Sequence, residues 1–339
     1  MKVSIKTIAK LANCSTATVS NVLNNKGMFS MQTRNRVLDI VRKNNYTLNS
    51  AGRNLRTGRS ETIGITFYRP NADIFRHEFY LIMMSALERT MAENNYEIIL
   101  SEYTDTMVER RDLPPFLSKG KVDGTIVLGG FPSEITKMLA ETGAPVVLLD
   151  TYAENADCVI TDNRTAVENL MLEISKLGHT HVEYFGSSIP DYNTDMRIQG
   201  FLSGVEKFGF DRSKCKVRRN FTHIESVGRE FKKTLEQSNR PTVIVASNDK
   251  VAIALIKSAQ ELGIDVPNDI SIVGFDDIPM ASLVSPALTT ISTDISTMGR
   301  TAATMLLDKI KASNKLSKGE LKVLMPKLVM RSSLVKVKK

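Results

Sequence analysis

Residues 5–25 read IKTIAKLANCSTATVSNVLNN, and the reading of this run decides the first part of the fold. Ile5, Ile8, Ala9, Leu11 and Ala12 recur at the spacing that gathers apolar side chains on one helical face. Asn13-Cys14 reads as a tight turn, because Asn tolerates a left-handed backbone, and Ser15 is a good N-cap for a second helix. There Val19, Val22 and Leu23 fall at i, i+3, i+4 and must face inward. At about 100° per residue, the opposite direction falls on Ala17 and Asn21, flanked by Ser20 and Asn24, with Thr16 at the N-terminal edge. A third helix is expected after Ser30, with Val37, Leu38, Ile40 and Val41 inside and Arg34, Arg36, Arg42 and Lys43 outside. Three short helices with a tight turn between the first two form a helix-turn-helix pattern.

This segment is also where the charge lies. Residues 1–60 hold eleven Lys and Arg against the single acid Asp39, a net +10, so the remainder carries −2 of the total +8. An excess confined to a short N-terminal segment of otherwise ordinary composition points to a nucleic-acid-binding module on a near-neutral body. Yet the outward face of the second helix is uncharged. Its residues are those that read base edges: Asn can bond adenine bidentately, a small methyl packs on thymine, and Ser or Thr donates or accepts. The surrounding bases and the helix starts at Ser15 and Thr33 would hold phosphates and set the register without reading sequence.

From Thr62 the texture changes. Apolar β-branched runs recur at 62–68, 96–103, 123–130, 145–150, 181–186, 241–247 and 271–276, with helical stretches such as Leu81–Asn94 and Val251–Leu262 between them. Strand–helix alternation predicts parallel sheets covered on both faces, with enough material for two doubly wound lobes. Ligands of such sheets bind beyond the carboxyl ends of the strands, so polar residues there are the informative ones.

Cys14, Cys158 and Cys215 are odd in number, far apart and without CxxC spacing, which suggests neither a disulfide framework nor a zinc site. No apolar run approaches a signal peptide or a membrane span, and a soluble cytoplasmic protein is expected. His179-x-His181 has a metal-like look, but LGHTHV reads better as a helix C-cap glycine followed by a strand. Gly129-Gly130 lacks the Lys-Ser/Thr of a phosphate loop, and no nucleophile–base pair stands at recognisable spacing, so neither an enzyme nor a cofactor or metal is expected. The Met-rich run YLIMMSALERTM reads as a core-facing helix.

Several ordered motifs together resemble the lactose/galactose repressor (LacI/GalR) family. IKTIAKLANCSTATVSNVLNN is similar to its helix-turn-helix, MQTRNRVLDIVRKNNYTLN to its third helix, and GRNLRTGRSETIGI to its hinge entering the first strand. GFDDIPMASLVSPALTTI (274–291) and LVMRSS (328–333) match further on, so the resemblance covers essentially the whole chain. It implies a helix-turn-helix headpiece over 1–48, a hinge helix over 49–60, and a periplasmic-binding-protein-like core over 61–339. That core would divide into an N-lobe of 61–161 plus 291–322 and a C-lobe of 162–290 plus 323–339.

By the same resemblance Thr16, Ala17, Ser20, Asn21 and Asn24 read bases, and Ser15, Thr18, Thr33, Arg34 and Arg53 hold phosphates. Leu55 matches the hinge leucine that wedges into the minor groove and kinks the duplex. Gly52 stands where the family usually has alanine, Leu48 replaces its usual proline, and Asn21 replaces a common arginine, which shifts that contact from guanine toward adenine. Phe79 and Tyr80 would stack on a sugar within HEFY, the segment matching the family's NPFF, where His77 and Glu78 depart from the pattern. Asp150, Arg197, Asn248 with Asp249, and Asp276 come from strand ends, and His223 matches another pocket position. This set suits a polyol, since carboxylates accept from hydroxyls while Arg and Asn donate. The expected protein is a ligand-responsive repressor, a homodimer or tetramer on a near-palindromic operator, with a small effector, a sugar, between the lobes. The alternatives are a catabolite-type regulator answering mainly to a protein partner and a sugar-binding transport protein.

Overall fold

The computed structural model describes residues 3–23, 27–46, 58–68, 74–189, 191–221, 224–312 and 319–337. Asn24, Leu48, Gly52, Arg53, Leu55 and His223 lie outside the described residues. The chain divides into two units, Met1–Ser60 and Glu61–Lys339, and each is described by itself.

The first unit holds α1 (Ile5–Leu11), α2 (Thr16–Leu23) and α3 (Met31–Lys43). Asn13 makes the turn between α1 and α2 with φ +45°, the left-handed conformation its side chain tolerates. Ile8, Ala9, Ala12, Val19, Val22 and Val37 form the core. Leu11, expected on the apolar face, is instead 55% exposed at the end of α1. So small a bundle encloses only the stripe centred on Ile8 and Ala12.

The second unit begins with β1 (Thr62–Tyr68), α4 (Glu78–Glu93), β2 (Glu97–Tyr103), α5 (Asp105–Arg110), α6 (Pro115–Ser118), β3 (Gly124–Leu128), α7 (Ser133–Ala140), β4 (Val146–Leu149) and β5 (Cys158–Thr161). It continues with α8 (Asn163–Lys176), β6 (Val182–Ser187), α9 (Tyr192–Lys207), β7 (Lys216–Phe221), α10 (Val227–Leu235), β8 (Val243–Ala246), α11 (Asp249–Glu261), β9 (Ser271–Asp276), α12 (Met280–Leu283) and β10 (Thr289–Ser292). Helix α13 (Ile295–Lys311) then leads to β11 (Leu321–Leu324) and β12 (Lys327–Val329).

These strands form two six-stranded sheets, ordered β11-β5-β4-β3-β1-β2 and β12-β10-β9-β8-β6-β7. The first is parallel throughout, and in the second only β12 runs antiparallel. The near-continuous burial of β1, β3, β4, β8 and β9 follows, because helices cover both faces of a parallel sheet.

The chain crosses between the lobes after Thr161, after Ser292 and after Leu324. The last two crossings fall slightly beyond the limits read from sequence, because Ile291 still pairs with Phe275 in the second sheet and Leu324 with Thr161 in the first. Asp162 and Asp294 begin the helices after the first two crossings, and their carboxylates accept from Thr165 N at 3.1 Å and Thr297 N at 3.0 Å. In the first lobe α13 lies directly on α4: a Cβ at Gly299 would stand 2.4 Å from the Met83 carbonyl oxygen, so only glycine permits the approach.

Candidate DNA-reading face and candidate ligand cleft

In α2 the burial of Val19 and Val22 turns the opposite side outward, leaving Thr16, Ala17 and Asn21 exposed with Ser20 half-buried beside them. The face carries no charge. At its start the Ser15 hydroxyl accepts from Thr18 N at 3.0 Å and lies 2.9 Å from the Thr18 hydroxyl. Ser30 and Thr33 repeat the device at α3, at 3.1 and 2.9 Å. Each serine satisfies one of the backbone N–H groups that a helix start leaves without an intrahelical partner. Arg34 is exposed in the first turn of α3, and no acid lies in the first turn of any of the three helices.

In the second unit, a cavity of about 130 Å³ opens where strands from both lobes end. From the first lobe come His77, Phe79 and Tyr80 around the start of α4, Gly130 beyond β3 and Asp150 beyond β4. From the second come Asp191, Asn193, Thr194 and Arg197 at the start of α9, Asn248 beyond β8 and Asp276 at the end of β9. Six of the seven effector residues named from sequence therefore meet here: Phe79, Tyr80, Asp150, Arg197, Asn248 and Asp276.

Polar bonds join the two walls. The Asn193 amide donates to both the main-chain oxygen and Oδ1 of Asp150, each at 2.9 Å, and Tyr80 donates to Asp150 Oδ2 at 3.3 Å. Asn193 Oδ1 in turn accepts from Asn163 at 2.9 Å. The Arg197 guanidinium lies 3.7 Å from the centre of the Phe275 ring. Its nitrogens bond Asn163 Oδ1 at 2.7 Å and the Ser247 carbonyl oxygen, and lie 3.5 Å from Asp276 Oδ1. Tyr152 of the first lobe stacks on Tyr192 of the second, with ring centres 5.1 Å apart.

Charge is expensive in this place. Burial pushes the Asp150 carboxyl from 3.8 up to about 7, although Arg197 pulls the other way. Burial raises Asp276 as well, and the neighbouring Asp249 and Asp150 add to the effect; its ion pair with Arg197 opposes the rise without overcoming it. Burial also holds the His77 imidazole down at about 4, helped by Lys250 and Arg197, so it is neutral at physiological pH. His77 Nδ1 is buried without a hydrogen-bond partner. Asp150 and Asp276 reach the cavity from left-handed backbone, with φ of +59° and +111°. Such strain in non-glycine residues persists where the surrounding structure over-determines it, and it concentrates at binding sites.

Comparison with known proteins shows matches to both units. The family described as "Bacterial regulatory proteins, lacI family" matches residues 4–49, and "Periplasmic binding protein-like domain" matches 173–334. The HTH-type transcriptional repressor PurR of Escherichia coli O1:K1 / APEC is 28% identical over 91% of this chain and 90% of its own length. PurR of Salmonella arizonae is likewise 28% identical, over 97% and 96%. The chain belongs to the LacI/GalR family.

As a LacI/GalR member it is a DNA-binding transcriptional regulator, and its relatives are repressors rather than enzymes. The fold matches the lac repressor dimer bound to operator and the anti-inducer ONPF, with a TM-score of 0.84 and 21% identity over 99% of this chain and 100% of that one. The regulator CelR in complex with cellobiose gives 0.71 at 22% identity, over 98% and 99%. An Enterococcus faecium LacI-family regulator with bound ribose gives 0.70 at 26% identity, covering 82% of this chain and all of that one.

Asp249, grouped with Asn248 from sequence, does not line the cleft of this LacI/GalR chain. It lies behind it, where its carboxylate accepts from Thr290 Oγ1 at 2.5 Å and from Ile278 N at 2.9 Å. It thereby fixes the loop that follows Asp276. His179 is held by Thr242 Oγ1 and the Val335 carbonyl oxygen, each at 2.8 Å, which accounts for it structurally. Among the described residues no cluster of His, Cys, Asp or Glu could hold a metal, and no helix is long and apolar enough to cross a membrane. The sequence reading missed Asp191, Asn193, Thr194 and Gly130. The segment DYNTD opens α9 directly beyond β6, so the strand-end rule applied to that strand would have found three of them.

Proposed function

We propose that the chain is a homodimeric repressor whose affinity for a near-palindromic operator is set by a small sugar-like effector held between the lobes of its core. The observation that carries this reading is the convergence of polar side chains from both lobes on one buried cavity, in a chain whose other unit is a helix-turn-helix. Thr16, Ala17, Ser20 and Asn21, with Asn24, contact base edges. Ser15, Thr18, Thr33, Arg34 and Arg53 hold phosphates, and Leu55 from each hinge opens the minor groove at the centre of the site. Asp150, Arg197, Asn248 and Asp276 bond the effector's hydroxyls, with Phe79 and Tyr80 against its apolar face. The bound cellobiose and ribose of the two fold relatives support a sugar as ligand. Leu81 of α4, Ile99 and Leu100 of the edge strand β2, and Met280 and Leu283 of α12 are large apolar side chains left on the surface. A second copy of the chain would cover them.

Fluorescence anisotropy on operator-like palindromes, with and without a panel of sugars, tests the proposal. Tight, salt-dependent binding that one sugar shifts is the expected result. Operator binding that no small molecule alters would remove the effector from the reading, and absence of DNA binding would remove the reading itself.

A further inference from the structure

Asn163 does not line the cleft, yet it touches two residues that do. It is the first residue of α8, directly after the first crossing between the lobes, and it is buried. Its Nδ2 donates to Asn193 Oδ1 at 2.9 Å and to the Thr161 carbonyl oxygen at 3.2 Å. Its Oδ1 accepts from Arg197 Nε at 2.7 Å. Both amide protons and the amide oxygen are thus engaged. The amide can lie only one way round, because a guanidinium offers no acceptor and a carbonyl oxygen no donor. Its partners come from both lobes: Thr161 ends β5 of the first, while Asn193 and Arg197 stand on α9 of the second and reach the cavity.

The crossing that Asn163 holds is in turn tied to the other two. Asp162 N donates to the Leu324 carbonyl oxygen at 3.0 Å, where the chain leaves β11 for the third crossing. The Thr161 hydroxyl donates to Met298 Sδ at 3.5 Å, on α13, the helix that follows the second crossing. Residues 161–163 therefore join all three crossings, and the Asn163 amide joins them to the cleft wall. Lobes that move against one another must turn about these crossings. The geometry points to Asn163 as the positioning residue that carries occupancy of the cleft to the three crossings. This role rests on the effector reading above and deepens it. A ligand that draws on Asn193 or Arg197 shifts the partners of one buried, saturated amide. That amide either moves the Thr161 peptide with it or leaves a buried polar atom unpaired, which is costly.

Hydrogen–deuterium exchange of the full-length chain, read by mass spectrometry over residues 158–166, 289–298 and 320–328, tests the role without a ligand. Asn163→Ala and Arg197→Met are made singly and together. Each single change should speed exchange at the second and third crossings by about 10-fold, and the pair by no more than either alone, because both cut the same tie. A residue that merely fills space would give factors that multiply, and that result overturns the proposal. Asn163→Asp keeps the volume and the Arg197 contact but supplies at most one proton where Thr161 and Asn193 need two. The same loosening is expected there, and exchange at the parental rate overturns the proposal even where the alanine variant fails to fold. Ribose and cellobiose supply the ligand arm. A sugar that binds should slow exchange at the crossings in the parent and not in Asn163→Asp; slowing in both overturns the proposal. Factors that do not multiply, in a protein that neither sugar protects, support the role of Asn163 while counting against a sugar as effector.

Discussion

Replacing Asp150 by asparagine should make the ligand-free protein more stable, and by more at pH 8 than at pH 5. The Asp150 carboxyl titrates near 7 in the folded chain against an ordinary 3.8. Because the folded value is the higher, this group favours folding fully only below pH 3.8, and the contribution is lost as pH rises toward 7. At about 1.4 kcal/mol for each pH unit between the two values, the integrated penalty is about 1.5 kcal/mol at pH 5 and about 4 kcal/mol at pH 8. Charged and titratable groups face Asp150 from every side: Tyr80 and His77 at α4, Asp191 and Arg197 at α9, and Asp276 at β9. Asparagine keeps the geometry. It tolerates the φ of +59°, retains the acceptor for Asn193, and turns an N–H toward the Tyr80 hydroxyl, which can accept. The chain contains no tryptophan, so unfolding is followed by far-UV circular dichroism at the two pH values. The margin of the variant over the parent should grow by about 2.5 kcal/mol between pH 5 and pH 8, or roughly 5–10 °C in Tm. A margin equal at both pH values, or a variant less stable than its parent at pH 8, refutes the argument that burial holds this carboxyl against ionisation.

Asn21→Ala should relax discrimination at one base position by ~1–3 kcal/mol, seen as convergence of the affinities for operators differing only there. Arg34→Ala should weaken cognate and random duplexes alike and flatten the salt dependence, measured by anisotropy between low and moderate salt. Gly299→Ala should cost about 1–3 kcal/mol or more in urea unfolding, because the new methyl falls 2.4 Å from the Met83 carbonyl oxygen and helices α4 and α13 must separate to admit it. Asn193→Ala removes both bonds by which the second lobe holds Asp150. Ligand-free small-angle scattering of that variant should show a larger radius of gyration, and an unchanged profile would mean the tie does not hold the lobes together.

The parts legible in the sequence were those governed by local periodicity. Val19, Val22 and Leu23 placed the outward face of α2 because a helix has one geometry, and TIGITFY matched β1 residue for residue because a doubly covered strand is apolar throughout. The strands that went unread are short or atypical. Cys158–Thr161 and Leu321–Leu324 have four residues each, and Lys216–Phe221 carries Lys and two Arg on an edge strand. Their pairing is decided by neighbours distant in the chain, not by their own pattern. In the cleft, Asp150 and Asp276 were legible as acids ending apolar runs. Asp249 was not separable from Asn248 by sequence, since only the left-handed loop at Asp276 and Asp277 shows which of the two turns inward. Asn193 could be placed at the cleft by its position beyond β6, but its bonding role could not be read, because its partner belongs to the other lobe.

The placement of the acids has a consequence for control. Asp150 belongs to the first lobe, while Asp276 and Arg197 belong to the second. A ligand that bonds all three gains its full energy only when the lobes are closed on it, and a ligand shifts a conformational equilibrium only by its difference in affinity for the two states. The buried carboxyls of the cleft supply a source for that difference. They are desolvated, and the penalty at Asp150 alone is about 4 kcal/mol at pH 8. Hydroxyl donors that relieve part of it cover the 1–3 kcal/mol typical of coupling between two sites. On the proposed reading of the cleft as an effector site, the charge that makes the core less stable than it could be is of the right size to drive a change in DNA affinity, and a cleft relined with neutral residues is expected to gain stability and to lose any such response.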